Sequence, residues 1–148
     1  MPRMTAVIIA ASLLACSRAQ AQTAADSAGI RGAALDYGEG WYEGSVERMT
    51  QALHPELVKR ILIVDTTTGR AVVNGMGKTA LVNSTARGGG KKTPEARRRK
   101  DVLIYDITGN AAVAKLTMSD WVDYLQLVRV DGRWVILNVL WELTPGGG

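Results

Sequence analysis

The fold is decided by the stretch Trp121–Glu142, which reads WVDYLQLVRVDGRWVILNVLWE. Two apolar runs rich in β-branched residues flank Asp131-Gly132, and this dipeptide between such runs is a strong signal for a two-residue β-hairpin. We therefore predict that Trp121–Val130 and Trp134–Glu142 are paired antiparallel strands. Simple alternation along the second strand would put Trp134, Ile136, Asn138, Leu140 and Glu142 on one face, and Val135, Leu137, Val139 and Trp141 on the other. Neither face is cleanly polar, so we expect both to be partly covered.

The first 21 residues have the pattern of an export signal. Arg3 supplies a positive start, and Met4–Ala15 is an apolar run of 12 residues, which is too short to span a bilayer. Two processing sites compete: cleavage after Ala21, and lipidation of Cys16, which follows a lipobox-like Leu-Leu-Ala. We expect a protein exported to the periplasm or secreted, or one anchored to the membrane through a lipid on Cys16.

Composition excludes several classes of site. Cys16 is the only cysteine, so cleavage at Ala21 leaves no thiol for a disulfide or for catalysis. With a single histidine as well, we expect no metal and no cofactor. Gly77-Lys78-Thr79 resembles the end of a phosphate-binding loop, but Val72 stands where that motif needs glycine. Six cations fall in Lys91–Lys100 without interleaved aromatics, so we interpret this segment as a solvated loop and expect no nucleic-acid partner.

The rest of the chain predicts helices first and strands afterwards. One domain is expected over residues 22–143, followed by a flexible tail at 144–148. A first helix over Thr23–Glu43 would bury Ile30, Ala34, Tyr37 and Trp41, which recur on one helical face. Ser45 is the expected N-cap of a second helix that runs to Leu53 and buries Val46, Met49 and Leu53. Further elements are predicted at Leu57–Val64 and Ala71–Met76 (strands), Lys78–Arg87 (helix), and Asp101–Ile107 and Ala111–Ser119 (strands). This order favours the α+β class.

Two motifs carry a resemblance to a known family. The run YGEGWYEGS at Tyr37–Ser45, with LHPE at Leu53–Glu56, resembles the pattern of the putative lumazine-binding family. That family is a branch of the nuclear transport factor 2-like (SnoaL-like) superfamily, and the closing hairpin resembles it too. The family usually has Asp and Phe where this chain has Ser45 and Leu53. The resemblance spans roughly Ala28–Glu142 and implies a cone, in which N-terminal helices pack in a strongly curved antiparallel sheet. It also implies lumazine-like ligands and homodimers formed through the sheet.

Six residues are candidates for ligand binding: Tyr37, Trp41, His54, Asp123, Tyr124 and Asn138. Tyr37 and Trp41 lie one helical turn apart and would stack a flat ligand if they are not simply core. Asp123-Tyr124 resembles the family's Asp-Tyr pair, and related ketosteroid isomerases use such groups for proton transfer. Adjacent strand residues point to opposite faces, however, so the two would share a pocket only at a bulge.

Two functions stay open at this point. The favoured one is a module that binds a small apolar or aromatic molecule, or that only dimerises. The alternative is an isomerase, cyclase or dehydratase type of enzyme. His54 and Asp123 are the catalytic candidates for it, because histidine titrates near neutral pH and a carboxylate accepts protons.

Overall fold

The computed structural model describes residues 24–145, so the predicted export signal and the last three glycines lie outside the described part. Helix α1 covers residues 24–43. The remaining elements follow in this order: α2 (Val46–Ala52), β1 (Leu53–Val64), β2 (Ala71–Gly77), α3 (Lys78–Ala86), a 3-10 turn (Glu95–Arg97), β3 (Lys100–Thr108), β4 (Ala111–Met118), β5 (Trp121–Val130) and β6 (Arg133–Leu143). The predicted α+β class is confirmed. Within residues 24–145 no helix is long and apolar enough to cross a bilayer.

The six strands form one curved sheet in the order β2-β1-β6-β5-β4-β3. All neighbours are antiparallel except β1 and β6, which run parallel. The curved sheet that the resemblance implied is confirmed, and it is antiparallel except at this one junction. The physical reason is that β1 and β6 are far apart in sequence, so no tight turn dictates their relative direction.

The predicted closing hairpin is confirmed, and the backbone angles give its turn type. Val130 pairs with Arg133, and the two residues between them form the turn. Asp131 has φ of 48° and Gly132 has φ of 77°. Positive φ at both central positions defines the type I′ turn, whose twist matches that of the flanking strands.

A β-bulge in β6 changes which side chains face the helices. Gln126 pairs with Asn138, but the next residue of β5, Leu127, pairs with Ile136, so Leu137 has no partner. The extra residue shifts the alternation by one position. Ile136 and Val139 are consequently both buried. The simple alternation predicted for this strand is thus wrong beyond Leu137, and Asn138 does not share a face with Ile136.

Helix α1 lies on the concave face of the sheet as its apolar stripe predicts. Ile30, Ala34 and Tyr37 are all buried, and Trp41 packs at the edge of the core. A methyl group built on Gly38 would lie only 3.2 Å from both Leu116 Cδ2 and Met118 Sδ. The glycine therefore lets the helix approach β4 closely, and this close approach seats the aromatic stripe against the sheet.

The second helix begins as predicted but differs at its end. Ser45 is its N-cap, and its Oγ accepts a bond from the Arg48 amide at 3.3 Å. The helix ends at Ala52, because Leu53 is already extended and starts β1. Met49 is buried as expected, whereas Val46 is 43% exposed, so its predicted burial is wrong. Val46 is the first residue of the helix, and its side chain does not reach the core.

Candidate ligand-binding site

A cavity of about 370 Å³ opens where α1 meets the end of the β5–β6 ribbon remote from its turn. Its lining residues are Tyr37, Trp41, Lys59, Met76, Leu81, Ser84, Asp120, Trp121, Trp141 and Leu143. The rings of Trp41 and Trp121 meet edge to face at 6.2 Å between centroids, and those of Trp121 and Trp141 at 6.4 Å. Such edge-to-face contacts hold indoles in fixed orientations. The walls are therefore aromatic and ordered before any ligand arrives.

Lys59 places a buried ammonium at this cavity. It alternates with Leu57 and Ile61 on the inner face of β1 and is only 6% exposed. Its Nζ donates to Asp123 Oδ1 at 2.5 Å and to Tyr37 Oη at 2.6 Å. It also lies 4.8 Å from the centroid of the Trp141 ring, within cation–π range. An ammonium has three N–H donors, so these two bonds leave one for a further acceptor.

Asp123 is the hub of the polar network behind the aromatic walls. It is fully buried, and its side chain accepts from Lys59 and, at 3.3 Å, from the Tyr37 hydroxyl through Oδ1. Its Oδ2 accepts from Trp121 Nε1 at 2.8 Å. Three donors thus satisfy one carboxylate, as a buried charge requires. The carboxylate therefore positions Lys59, Tyr37 and Trp121 rather than facing the cavity itself.

Burial changes the pKa values of the groups that do face the cavity. Burial, reinforced by the neighbouring Asp123 carboxylate, raises the pKa of the Tyr37 hydroxyl well above its usual value near 10. Burial also lowers the pKa of Lys59, although the attraction of Asp123 opposes this effect. Tyr37 is consequently a neutral hydroxyl at neutral pH, and the ammonium of Lys59 gives up its proton more readily than an exposed lysine would.

The six predicted ligand residues fall into two groups. Tyr37 and Trp41 line the cavity, and Asp123 stands directly behind it. The other three lie elsewhere. The His54 side chain accepts from the Glu56 amide at 3.1 Å, and His54 stands five residues before Lys59, which is about 15 Å along a strand.

Tyr124 and Asn138 lie outside the cavity because their side chains are on the opposite face of the sheet. Tyr124 is next to Asp123 and therefore points outward, where it is 43% exposed. Asn138 follows the bulge and donates to Gln126 Oε1 at 3.1 Å. Tyr124 and Asn138 line a separate groove on the convex face of the sheet, together with Gln126 and Leu140. One pocket that combines all six residues is therefore not what the structure contains.

Sequence reasoning missed eight of the ten lining residues, and the three that matter most for binding are Lys59, Trp121 and Trp141. Lys59 had a readable signal, since it alternates with Leu57 and Ile61 on the apolar face of a predicted strand. A charged residue at such a position needs a buried partner. Trp141 had no signal, because the bulge that turns it inward is not visible in the sequence.

The chain is similar to one family and to several solved structures. A family model described as "Putative lumazine-binding" matches residues 25–142. A nuclear transport factor 2-like protein of unknown function from Shewanella baltica is 19% identical, with 81% of this chain and 94% of that chain covered and a TM-score of 0.60. One from Methylobacillus flagellatus is 23% identical, with 81% and 93% covered and a TM-score of 0.60.

A third solved structure covers more of the chain. It is a nuclear transport factor 2-like protein with a cystatin-like fold from Novosphingobium aromaticivorans, 14% identical, with 99% of this chain and 93% of that chain covered and a TM-score of 0.58. At such identities the likeness concerns the fold. No functionally curated protein matches the chain.

Proposed function

Because the chain belongs to the putative lumazine-binding family, we propose that it is a binding module for a flat aromatic molecule that carries an oxygen acceptor. The observation that supports this most is the combination of three indole walls with one buried ammonium in a single cavity. Ligand sites are usually preformed, mostly apolar clefts with a few placed polar groups. A volume of about 370 Å³ is large enough for a two-ring heterocycle.

The polar end of the cavity supports an acceptor on the ligand. The remaining N–H of Lys59 would donate to a carbonyl or carboxylate oxygen, and charge-assisted bonds of this kind are stronger than neutral ones. Lumazine itself is a flat bicycle with carbonyl oxygens, so it fits both requirements.

The same contacts disfavour the alternative function, an enzyme that uses His54 and Asp123 as acid–base groups. Asp123 has no exposed surface and contacts only the three protein donors, so it does not reach a substrate proton directly. His54 lies too far along β1 for a direct hydrogen bond to that site. These features favour binding over acid–base catalysis by that pair.

Isothermal titration calorimetry of residues 22–148 with lumazine and 2-naphthoate tests the proposal. We expect saturable binding at one site per chain. The double variant Lys59→Met/Asp123→Asn removes the ion pair without leaving a lone buried charge, and its affinity should fall about tenfold. Lys115→Met, on the convex face, should bind like the unmodified chain. Absence of saturable heat with any flat acceptor would contradict the proposal.

We also propose that the convex face of the sheet forms a homodimer. Val113, Tyr124 and Leu140 are exposed there at 39%, 43% and 58%, and they surround the Gln126–Asn138 bond. Large apolar side chains grouped on one surface are typical of protein interfaces. Light scattering after size exclusion should give twice the chain mass, and Leu140→Glu should reduce it to that of a monomer.

Export through residues 1–21 is proposed on the sequence pattern alone. Fractionation of a bacterial host that expresses the full chain tests it. Recovery of a shortened, soluble chain outside the cytoplasm would support cleavage at Ala21. Incorporation of labelled fatty acid that Cys16→Ala abolishes would support lipidation instead, and a full-length cytoplasmic chain would contradict both.

A further inference from the structure

The buried amine of Lys59 can act as a nucleophile as well as a hydrogen-bond donor. Lys59 is the single lysine in the cavity lining, and it is buried beside aromatic rings. A lysine held in an apolar pocket is a known kind of nucleophile toward carbonyl groups, because its neutral amine is easier to reach. Other lysines of the described chain, such as Lys78 and Lys115, hold their ammonium groups at more exposed positions.

We propose that Lys59 forms a Schiff base with an aromatic aldehyde or ketone that occupies the cavity, with Asp123 as the counterion. This deepens the proposed function and rests on it, since it names the carbonyl class of ligand and a covalent mode of binding. The supporting geometry is the cluster in which Lys59 Nζ lies 2.5 Å from Asp123 Oδ1 and 2.6 Å from Tyr37 Oη.

Each proton in the reaction has a place in this cluster. Lys59 first passes a proton to Asp123, and the neutral amine attacks the carbonyl carbon to form a C–N bond while the C=O electrons move to oxygen. A second proton then moves from nitrogen to that oxygen, with the Tyr37 hydroxyl as the bridging donor and acceptor. Asp123 returns the first proton through Tyr37, and the hydroxyl leaves as water. The product is a protonated imine, which carries the same charge that Lys59 carried.

The surroundings favour the imine once it has formed. A protonated imine keeps one N–H, which can donate to Asp123 Oδ1 in place of the original ammonium bond. The Trp141 ring, 4.8 Å from Nζ, attracts this cation as it attracts the ammonium. Aromatic walls also limit the access of water, which would otherwise hydrolyse the imine. No oxidant or reductant is needed for the step.

Reductive trapping with 2-naphthaldehyde and cyanoborohydride tests this proposal on residues 22–148. Peptide mapping should find one naphthylmethyl group on Lys59, introduced about tenfold faster than on any exposed lysine. Lys59→Arg keeps a cation beside Asp123 but cannot form an imine, so it should lose this adduct. Lys115→Arg is the matched control and should label like the unmodified chain. Tyr37→Phe should slow labelling while it leaves the site of labelling unchanged.

A parallel titration with 2-naphthylmethanol separates this proposal from the one it rests on. That alcohol has the same rings but cannot form an imine. If it binds while Lys59 stays unlabelled, or while label spreads evenly over exposed lysines, the Schiff base is excluded and the binding module stands. If neither the alcohol nor the aldehyde occupies the cavity, both proposals fail.

Discussion

The two ends of the β5–β6 ribbon contain the same three kinds of group in different surroundings. At the turn end, Asp26 accepts from Arg129 at 2.7 Å and from Trp134 Nε1 at 3.1 Å. At the cavity end, Asp123 accepts from Lys59 and from the indole of Trp121. Each end therefore joins a carboxylate to one cation and one indole.

What differs between the ends is the exposure of the ion pair and the character of the cavity walls beside it. The Asp26 and Arg129 side chains are 12% and 24% exposed, whereas those of Asp123 and Lys59 are 0% and 7% exposed. A methyl group built on Gly29, beside the turn-end group, would lie 2.7 Å from Trp134, so that indole is packed tightly against α1. A cavity of about 430 Å³ lies beside this group too, but its walls carry mostly charged and polar side chains with a single indole, whereas three indoles line the cavity beside Lys59. The comparison teaches that the same three groups make a partly hydrated tie where the walls are polar, and a candidate ligand site where the ion pair is buried behind aromatic walls.

The largest expected change in unfolding free energy comes from replacing the carboxylate of Asp123 or Asp26 with a neutral amide. Asp123→Asn leaves the buried Lys59 ammonium without its counterion and should lower the free energy of unfolding by about 3 kcal/mol. Asp26→Asn acts on a partly hydrated pair and should cost about 1 kcal/mol. Urea denaturation of the two variants measures both values. Equal losses would show that the two ends do not differ in the way their exposure indicates.

Packing against Trp41 gives the next effect. A methyl group at Gly89 would lie 2.8 Å from Trp41 Cζ2, so Gly89→Ala should push that ring toward the cavity. We expect a loss of about 1–3 kcal/mol in unfolding free energy and weaker ligand binding. Gly32→Ala, on an exposed helical site with nothing within 4 Å, is the control and should gain about 0.5–1 kcal/mol. If Gly89→Ala changes neither the unfolding free energy nor the ligand affinity, then Gly89 does not confine the Trp41 ring.

The turn allows stability and binding to be separated. Gly132 has φ of 77°, so Gly132→Ala forces a side chain into the left-handed region and should cost about 1–2 kcal/mol. The cavity is at the opposite end of the ribbon, so the affinity for 2-naphthoate at low temperature should not change. Calorimetric titration checks this, and a parallel loss of affinity would show that the two ends are coupled.

The smallest effect concerns the ion cluster that Glu39 of α1 forms with Arg48 and Lys100. Bonds from Lys100 and then Arg48 lower the pKa of Glu39 below its usual value near 4.5. A carboxylate whose pKa is lower in the folded state stabilises the fold when the pH is above its pKa in the unfolded state. This contribution is lost as the pH falls through its pKa in the folded state. The free energy of unfolding should therefore decline below about pH 4.5. Glu39→Gln should flatten that decline, and an unchanged slope would mean that other carboxylates cause it.

Local signals in the sequence predicted most of the fold. Asp131-Gly132 specifies its own turn, and the stripe through Ile30, Ala34 and Tyr37 specifies its own buried face, since both depend on neighbouring residues alone. The bulge at Leu137 depends on how β6 pairs with β5, so periodicity could not locate it. The site was harder still, because Lys59 meets Asp123 across 64 residues of chain. Only the tertiary fold shows that these two charges satisfy each other.

The indole N–H signals of an NMR titration test the central claim most directly. The chain has four tryptophans, of which Trp41, Trp121 and Trp141 line the cavity and Trp134 lies at the turn end. Saturation with 2-naphthoate should shift the first three signals and leave that of Trp134 in place. A shift of Trp134 alone, or four unmoved signals at saturating ligand, would contradict a binding site between α1 and the open end of the ribbon.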